Sequence, residues 1–373
     1  MKKSRADYQR RVYQVAVLVI VLAAGWYIRA NSKGLLDSRI SKVVVLQKAA
    51  VKTPRKKTIS ITAAGDVMFD RRVKAATIAN KESWPFAQVA SYFKATDLTV
   101  ANLESPLSST GKATPEKDVV FQGTLLGAKA LKQGGIDVVS LANNHALDYG
   151  LGSLQQTTEL LDKEKIGYAG AGASKQEAFE PAILKVGDLL VGFLSFSDVI
   201  PFNSFPSKTA PGIAPARDKK TVSLLIKALS KEVHLVIVTF HWGVEYKDYP
   251  TGRQKELAVA AIDAGADLVL GTHPHVTQGI AVYKKRLIFY SLGNFLFDHY
   301  KPRTGESILP QIDMNYKGEF SRARIWPVLI NDSGQPSIAA GSEGQRILSR
   351  LKTISGKYAP LLQDEGDSLT LIR

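Results

Sequence analysis

Past Thr58 the chain alternates short apolar runs with longer stretches whose apolar positions fall on one stripe. The runs at 58–64, 97–101, 136–141, 189–196, 234–240, 267–271 and 287–291 are rich in Val, Ile and Leu. Strands of a parallel sheet read this way, because helices cover both of its faces. Helices are predicted between them: 124–133, stopped by Gly134 and Gly135; 152–165, with Leu154 and Leu161 on one face; and 252–264, with Leu257, Ala261 and Ala264 aligned and Gly265 as terminator. The predicted fold class is α/β. The proline-rich segment 198–216 has no helical period and reads as a long loop, either a lid over a site or a surface insertion. Beyond Gly305 the pattern fades to an edge strand around Arg324 to Ile330, followed by a segment with no assignable period.

Ahead of these elements, Val12 to Ile28 is uncharged and strongly apolar. As a helix it spans about 25 Å, close to a hydrocarbon core of about 30 Å. Lys2, Lys3, Arg5, Arg10 and Arg11 precede it, which favours an inside amino terminus and an outside body. A cleavable signal peptide has the same charge and hydropathy pattern, but Trp26, Tyr27, Ile28 and Arg29 after the alanines make a poor cleavage site. The expected organisation is a basic terminus at 1–11, a transmembrane anchor at 12–28, a basic spacer at 29–57, a folded domain at 58–300 and an extension at 301–373 packed on it.

Charge follows that division. Residues 1–57 hold 14 Lys and Arg against Asp7 and Asp37, and the other 316 residues hold 35 basic against 32 acidic groups. The excess therefore belongs to the membrane-flanking part, where it suits anionic headgroups or an anionic polymer. Without a basic-aromatic platform, nucleic acid is not an expected partner. The chain has no cysteine, which excludes disulfides, thiolate metal sites and a cysteine nucleophile. It also lacks a G-x-x-x-x-G-K-[ST] loop and a G-x-S-x-G elbow.

The candidate chemistry sits at the carboxyl ends of the predicted strands: Asp66, Glu104, Asn144 with His145, His241, and His273 with His275. Parallel strands deliver those ends to one rim, so remote positions become neighbours. In GTHPHV both imidazoles reach one cavity if the backbone is extended, with Pro274 expected to keep it so. Asp66 either meets a cation or caps a following helix, and Gly65 would let the backbone pass close to a bound ion. A buried Glu104 needs a cation or donors to offset its desolvation. His234, at the opposite end of the strand that ends at His241, should lie about 20 Å from the site. His299 is unassigned.

GDVMFDRR, ANLESPLS, SLANNHALDYG, HWGVEY, GTHPHVTQG and YSLGNFLFD, in that order, resemble the CapA-type capsule-synthesis domain. That domain is associated with poly-γ-glutamate capsules and is similar in fold to calcineurin-like metallophosphoesterases. The resemblance implies a two-sheet sandwich flanked by helices and a divalent transition metal, Mn, Zn or Fe. It implies Asp66, Glu104, Asn144, His241, His273 and His275 as ligands, with His145 meeting the substrate and Asp148 orienting it. Phosphoesterases carry Asp-x-His on the first strand, whereas the third position here is Met68, a poor ligand for a hard ion. A tight site of Glu104, Asn144, His241 and His273 is therefore expected. The second, with Asp66, Glu104 and His275, should be weak or absent unless Asp70 compensates.

Three functions remain open on this reading: an anchored enzyme acting on an envelope polymer, an envelope phosphoesterase, and a non-catalytic polymer-binding part of an export complex. The implied partners are an anionic polymer such as poly-γ-glutamate, the membrane, and other capsule-synthesis membrane proteins.

Overall fold

Two mixed sheets pack face to face. The computed structural model describes residues 43–45 and 58–372 apart from Glu116, Phe202, Asn203, Tyr300 and Pro302. The first sheet runs β1 (Val43–Val45), β7 (Ala182–Val186), β8 (Leu189–Ser197), β10 (Leu235–His241), β11 (Leu268–Thr272), β13 (Arg286–Phe289) and β12 (Ile280–Tyr283). The second runs β18 (Gln363–Asp364), β19 (Leu369–Ile372), β16 (Phe320–Ile330), β15 (Glu306–Asn315), β2 (Thr58–Val67), β3 (Leu98–Leu103), β4 (Val138–Ser140) and β5 (Gly167–Ala169). Off that path, β14 (Asn294–Leu296) pairs with β2 and β17 (Pro336–Ile338) with β16, while β6 (Ala171–Gly172) and β9 (Gly212–Ile213) form a small separate pair.

The parallel blocks position the site. Strands β8, β10, β11 and β13 are parallel in the first sheet, and β2, β3, β4 and β5 in the second. Every residue of β3, β10 and β11 is buried, as expected of strands covered on both faces. Alternate side chains separate the layers. Ile59, Ile61, Val100, Phe193, Ile237 and Leu270 fill the space between the sheets. On the outer face of the second sheet, Ala101, Leu103 and Val139 meet Leu131, Leu154 and Leu161 from helices. On the outer face of the first, Val236, Val238 and Phe240 meet Val222, Ile226, Leu257 and Ala261. The result is the helix-flanked two-sheet sandwich that the resemblance implied.

Local signals explain several boundaries. The helix Gly252–Ala264 opens on a Thr251–Gln254 capping box and ends at Gly265, whose φ of 111° costs glycine little. The C-terminal part differs from expectation. Strand β16 is no edge, since β15 lies on one side of it and β17 and β19 on the other. The helix Gly341–Ser355 sends Ile347, Leu348, Leu351 and Ile354 into the core between the sheets. Among the described residues no helix is long and apolar enough to cross a membrane, and the anchor expected at Val12 to Ile28 lies outside them.

Candidate metal centre

Carboxyl ends from both sheets meet at one rim. Asp66 lies near the end of β2, Glu104 just beyond β3, Asn144 and His145 beyond β4, His241 ends β10, and His273 follows β11. Asp66, Glu104, His145, His241 and His273 are all buried. Gly65 serves a different purpose from the one expected: a Cβ there would sit 1.9 Å from the Gly293 carbonyl oxygen. The close approach lets the Asp66 N–H donate to that carbonyl at 3.0 Å, fastening β2 to the segment that carries Asn294. Asp66 is no helix cap, since the next helix, Arg71–Asn80, has Asp70 as its N-cap residue.

Asp66, Glu104 and His275 place ligand atoms within 4.8 Å of one another. The Asn102 amide donates to Asp66 Oδ1 at 2.8 Å and to Glu104 Oε2 at 3.1 Å, bridging the carboxylates. Asn102 Oδ1 in turn accepts from Asn143, which also donates to the Leu103 carbonyl. The Asn294 amide donates to the Thr304 carbonyl at 3.0 Å, which turns its Oδ1 toward His275 Nδ1 at 2.8 Å. That contact makes Nδ1 the protonated nitrogen and leaves the Nε2 lone pair, 3.8 Å from Glu104 Oε1, for a cation.

The second group forms beside it. His241 Nε2 meets Asn144 Oδ1 at 2.8 Å, His241 Nδ1 meets Thr272 Oγ1 at 3.1 Å, and the His241 and His273 rings are 4.7 Å apart. A spacing near 2.8 Å suits a hydrogen bond, and it is also close to the roughly 3 Å between neighbouring ligands about 2.1 Å from one ion. The carboxylate-bearing triad, expected to be the weaker set, is nonetheless a compact one.

Two expectations fail on local geometry. His273 and His275 have φ of 96° and 58°, so the His-Pro-His segment is a left-handed turn and not extended. Asp70 belongs to neither cluster of converging ligand atoms, and its Oδ2 accepts the Gln122 N–H at 2.8 Å. Met68 is fully buried with Phe121 and Phe297, and its sulfur accepts the Asp70 N–H.

Burial sets the protonation of the cluster. It raises the Glu104 carboxyl well above its usual range, helped by Asp66, and raises Asp66 less, because His275 and Asn102 oppose it. Burial also drives His241 well below the usual imidazole range, with His273 adding to the effect, and His273 down to about 3. These imidazoles are neutral lone-pair donors at pH 7, and the carboxylates lack the charge compensation that a cation supplies. Glu104 Oε1 and His273 Nδ1 are buried with no hydrogen-bond partner. The donor set therefore fits a divalent cation.

His145 stands at the lip. Its Nδ1 lies 2.6 Å from Asp148 Oδ2, its ring packs at a tilt with its centroid 4.1 Å from that of Phe121, and burial lowers its pKa against the pull of Asp148. Asp148 also accepts the Phe121 N–H and pairs with Lys117, whose ammonium contacts the Asn144 carbonyl at 2.6 Å. A cavity of about 390 Å³ opens here, lined by Arg71, Lys117, His145, Glu245, His275 and Lys301 among others. No described residue of the 198–216 loop lines it, so that part of the loop is not its wall. His234 is exposed at the far end of β10, where its Nδ1 accepts the Leu190 N–H.

Asn102, Lys117, Glu245 and Asn294 were not singled out from the sequence. Asn102 offered a faint signal, a polar side chain inside the apolar run LTVANL; Glu245 and Asn294 lie within quoted motifs. Lys117 offered none.

Residues 60–299 match the model of the family described as bacterial capsule synthesis protein PGA_cap. The chain belongs to that family. PGA_cap relatives extend over most of its length. PGA biosynthesis protein CapA of Bacillus subtilis (strain 168) is 33% identical over 84% of this chain and 83% of its own. Capsule biosynthesis protein CapA of Bacillus anthracis is 30% identical over 100% of this chain and 88% of its own. Among solved structures, a hypothetical protein from Thermus thermophilus superposes with a TM-score of 0.47 at 18% identity, over 72% of this chain and 98% of that one.

Proposed function

We propose that this chain is a membrane-anchored, outward-facing enzyme of capsule biosynthesis that acts on poly-γ-glutamate or a related anionic envelope polymer. Its anchor would be residues 12–28, with the basic spacer 29–57 lying against headgroups or polymer and other capsule-synthesis membrane proteins as neighbours. The observation that carries the reading is Glu104, a buried carboxylate with an unpartnered oxygen beside Asp66 and His275, the last of which lines a cavity together with His145.

Asp66, Glu104, Asn144, His241, His273 and His275 would hold the metal. A divalent ion there supplies Lewis-acid polarisation of an amide or ester carbonyl, or of a phosphoryl oxygen. The chain's own groups do the rest. Asp148 accepts the hydrogen of His145 Nδ1, which leaves His145 Nε2 to take or give a proton. Lys117 neutralises Asp148 and keeps that orientation. Phe121 packs against the imidazole and limits water around it. Arg71 and Lys301, seated over the Phe121 and Tyr246 rings, suit the carboxylates of an acidic polymer.

The test is to incubate metal-loaded protein with γ-linked glutamate oligomers and follow chain length by mass spectrometry. The expected result is cleavage or transfer, lost in His145→Ala with metal retained. Turnover of an aryl phosphate alone would move the assignment to an envelope phosphoesterase. Absence of both activities, with capsule still formed by His241→Ala cells, would leave a non-catalytic polymer-binding role.

A further inference from the structure

Arg71 opens the helix Arg71–Asn80 at φ 52°, in the left-handed region that favours glycine. Strain of this kind concentrates where a side chain serves a ligand. The Arg71 guanidinium lies over the Phe121 ring, 4.8 Å from its centroid, and lines the cavity. Lys301 lines the same cavity, with its ammonium 3.6 Å from the Tyr246 centroid. Both residues are exposed, and among the described residues no carboxylate pairs with either. The other cavity cation, Lys117, is already paired with Asp148.

Between these two cations the rings touch in succession. Phe121 meets Phe297 at 5.8 Å, Phe297 meets His275 at 5.1 Å, and His275 meets Tyr246 at 6.1 Å between centroids. His145 packs on Phe121, so the row holds the proton-transfer residue near its Arg71 end and a metal-site histidine in its interior. Aromatic faces pack against methylene groups, while a guanidinium or ammonium left unpaired suits a carboxylate. Of the acidic groups lining the cavity, Asp298 faces Arg72 at 3.9 Å and Glu245 lies within 4.8 Å of the histidine ligand atoms. Only Asp118, which is exposed, remains to oppose an anionic ligand there.

We propose that Arg71 and Lys301 bind two pendant carboxylates of one acidic chain, whose methylenes lie along the rings and whose linking amide faces His275. This deepens the function proposed above and rests on it. Both anchors hold carboxylates along the polymer, so neither chain end is needed and the site takes the interior of a chain. A single glutamate cannot reach both cations.

The experiment is calorimetric titration of the Mn²⁺-loaded full chain, carrying His145→Ala to stop turnover. The ligands are glutamate and γ-linked glutamate oligomers of increasing length with both ends blocked. Affinity should rise at least tenfold once an oligomer spans both cations. Arg71→Gly and Lys301→Gln should each lower oligomer affinity by about tenfold or more. Glycine relieves the strain at φ 52°, so Arg71→Gly should melt no lower than its parent. Asp118→Asn, which removes a negative charge from the same cavity, should not weaken binding. Oligomers bound with unchanged affinity by Arg71→Gly and Lys301→Gln overturn the proposal and leave the capsule-enzyme reading intact. A requirement for a free chain end overturns it as well. No binding of any oligomer, by this chain or by wild type, overturns both.

Discussion

Carboxylates occupy both ends of the parallel strands, and their partners differ. At the amino-terminal rim, Asp97, Asp137 and Asp267 each precede a strand and accept a backbone N–H from the strand beside it, those of Ser60, Thr99 and Val236, all at 2.9 Å. Asp267 also pairs with Arg286. At the carboxyl-terminal rim, Asp66 and Glu104 are fully buried, share one side-chain donor in Asn102, and leave Glu104 Oε1 unpartnered. The first set completes the hydrogen bonding of the sheet; the second leaves an acceptor facing the neighbouring imidazole of His275. An oxygen without a hydrogen-bond partner, beside a second carboxylate, is what separates Glu104 from the three structural aspartates.

Exchanging charge at each rim should give opposite results. Glu104→Gln is expected to lower divalent-cation affinity by more than about 100-fold. It should leave the metal-free fold as stable as wild type or more so, because burial disfavours the ionised form. Calorimetric titration with Mn²⁺ and thermal melting check the two halves. His145→Ala should lower turnover by about 10² to 10⁴ with metal content unchanged, read by steady-state kinetics and elemental analysis. Asp137→Ala is expected to cost about 1–3 kcal/mol in denaturant unfolding, because it strands the Thr99 N–H, and to leave metal binding untouched.

Acidification sharpens the same contrast. Since burial raises the Glu104 pKa, the metal-free site holds a proton there to higher pH than an ordinary glutamate does. Cation uptake must displace that proton, so affinity falls as pH is lowered through the raised pKa. Titrations in buffers of different ionisation enthalpy should register the release. For the metal-free fold the sign is reversed: stability linked to Glu104 is fully present below its unfolded pKa and is lost as pH rises through the folded value. The smallest effect is expected of His234→Ala, which should change stability by less than about 0.5 kcal/mol and metal content not at all. A loss of metal there would break the two-rim distinction.

How much of this was readable in the chain depends on whether the determinant was local. Strands buried on both faces announce themselves, so β8, β10 and β11 were legible within a residue or two, and so was the rim to which Asp66, Glu104 and His241 belong. The helix 252–264 was legible because Thr251, Gln254 and Gly265 mark its ends. Strand β16 was legible only from Arg324 onward and as an edge, and β15 was not, because its place between β2 and β16 is set by pairing with β2 across more than 200 residues. The left-handed His273 and His275 were hidden for the same reason, since the Tyr246 bond to Pro274 that accompanies the turn comes from a distant loop. Lys117 reaches Asp148 from an irregular segment without periodicity. The segment 198–216 was legible as a loop, but not that its described residues would leave the cavity unlined.

Anomalous diffraction from crystals soaked in Mn²⁺ locates the ion. A peak is expected about 2.0–2.6 Å from carboxylate oxygens of Asp66 and Glu104 and from His275 Nε2. A peak confined to the opposite rim beside Asp97, Asp137 or Asp267, or none at a saturating soak, would contradict that placement.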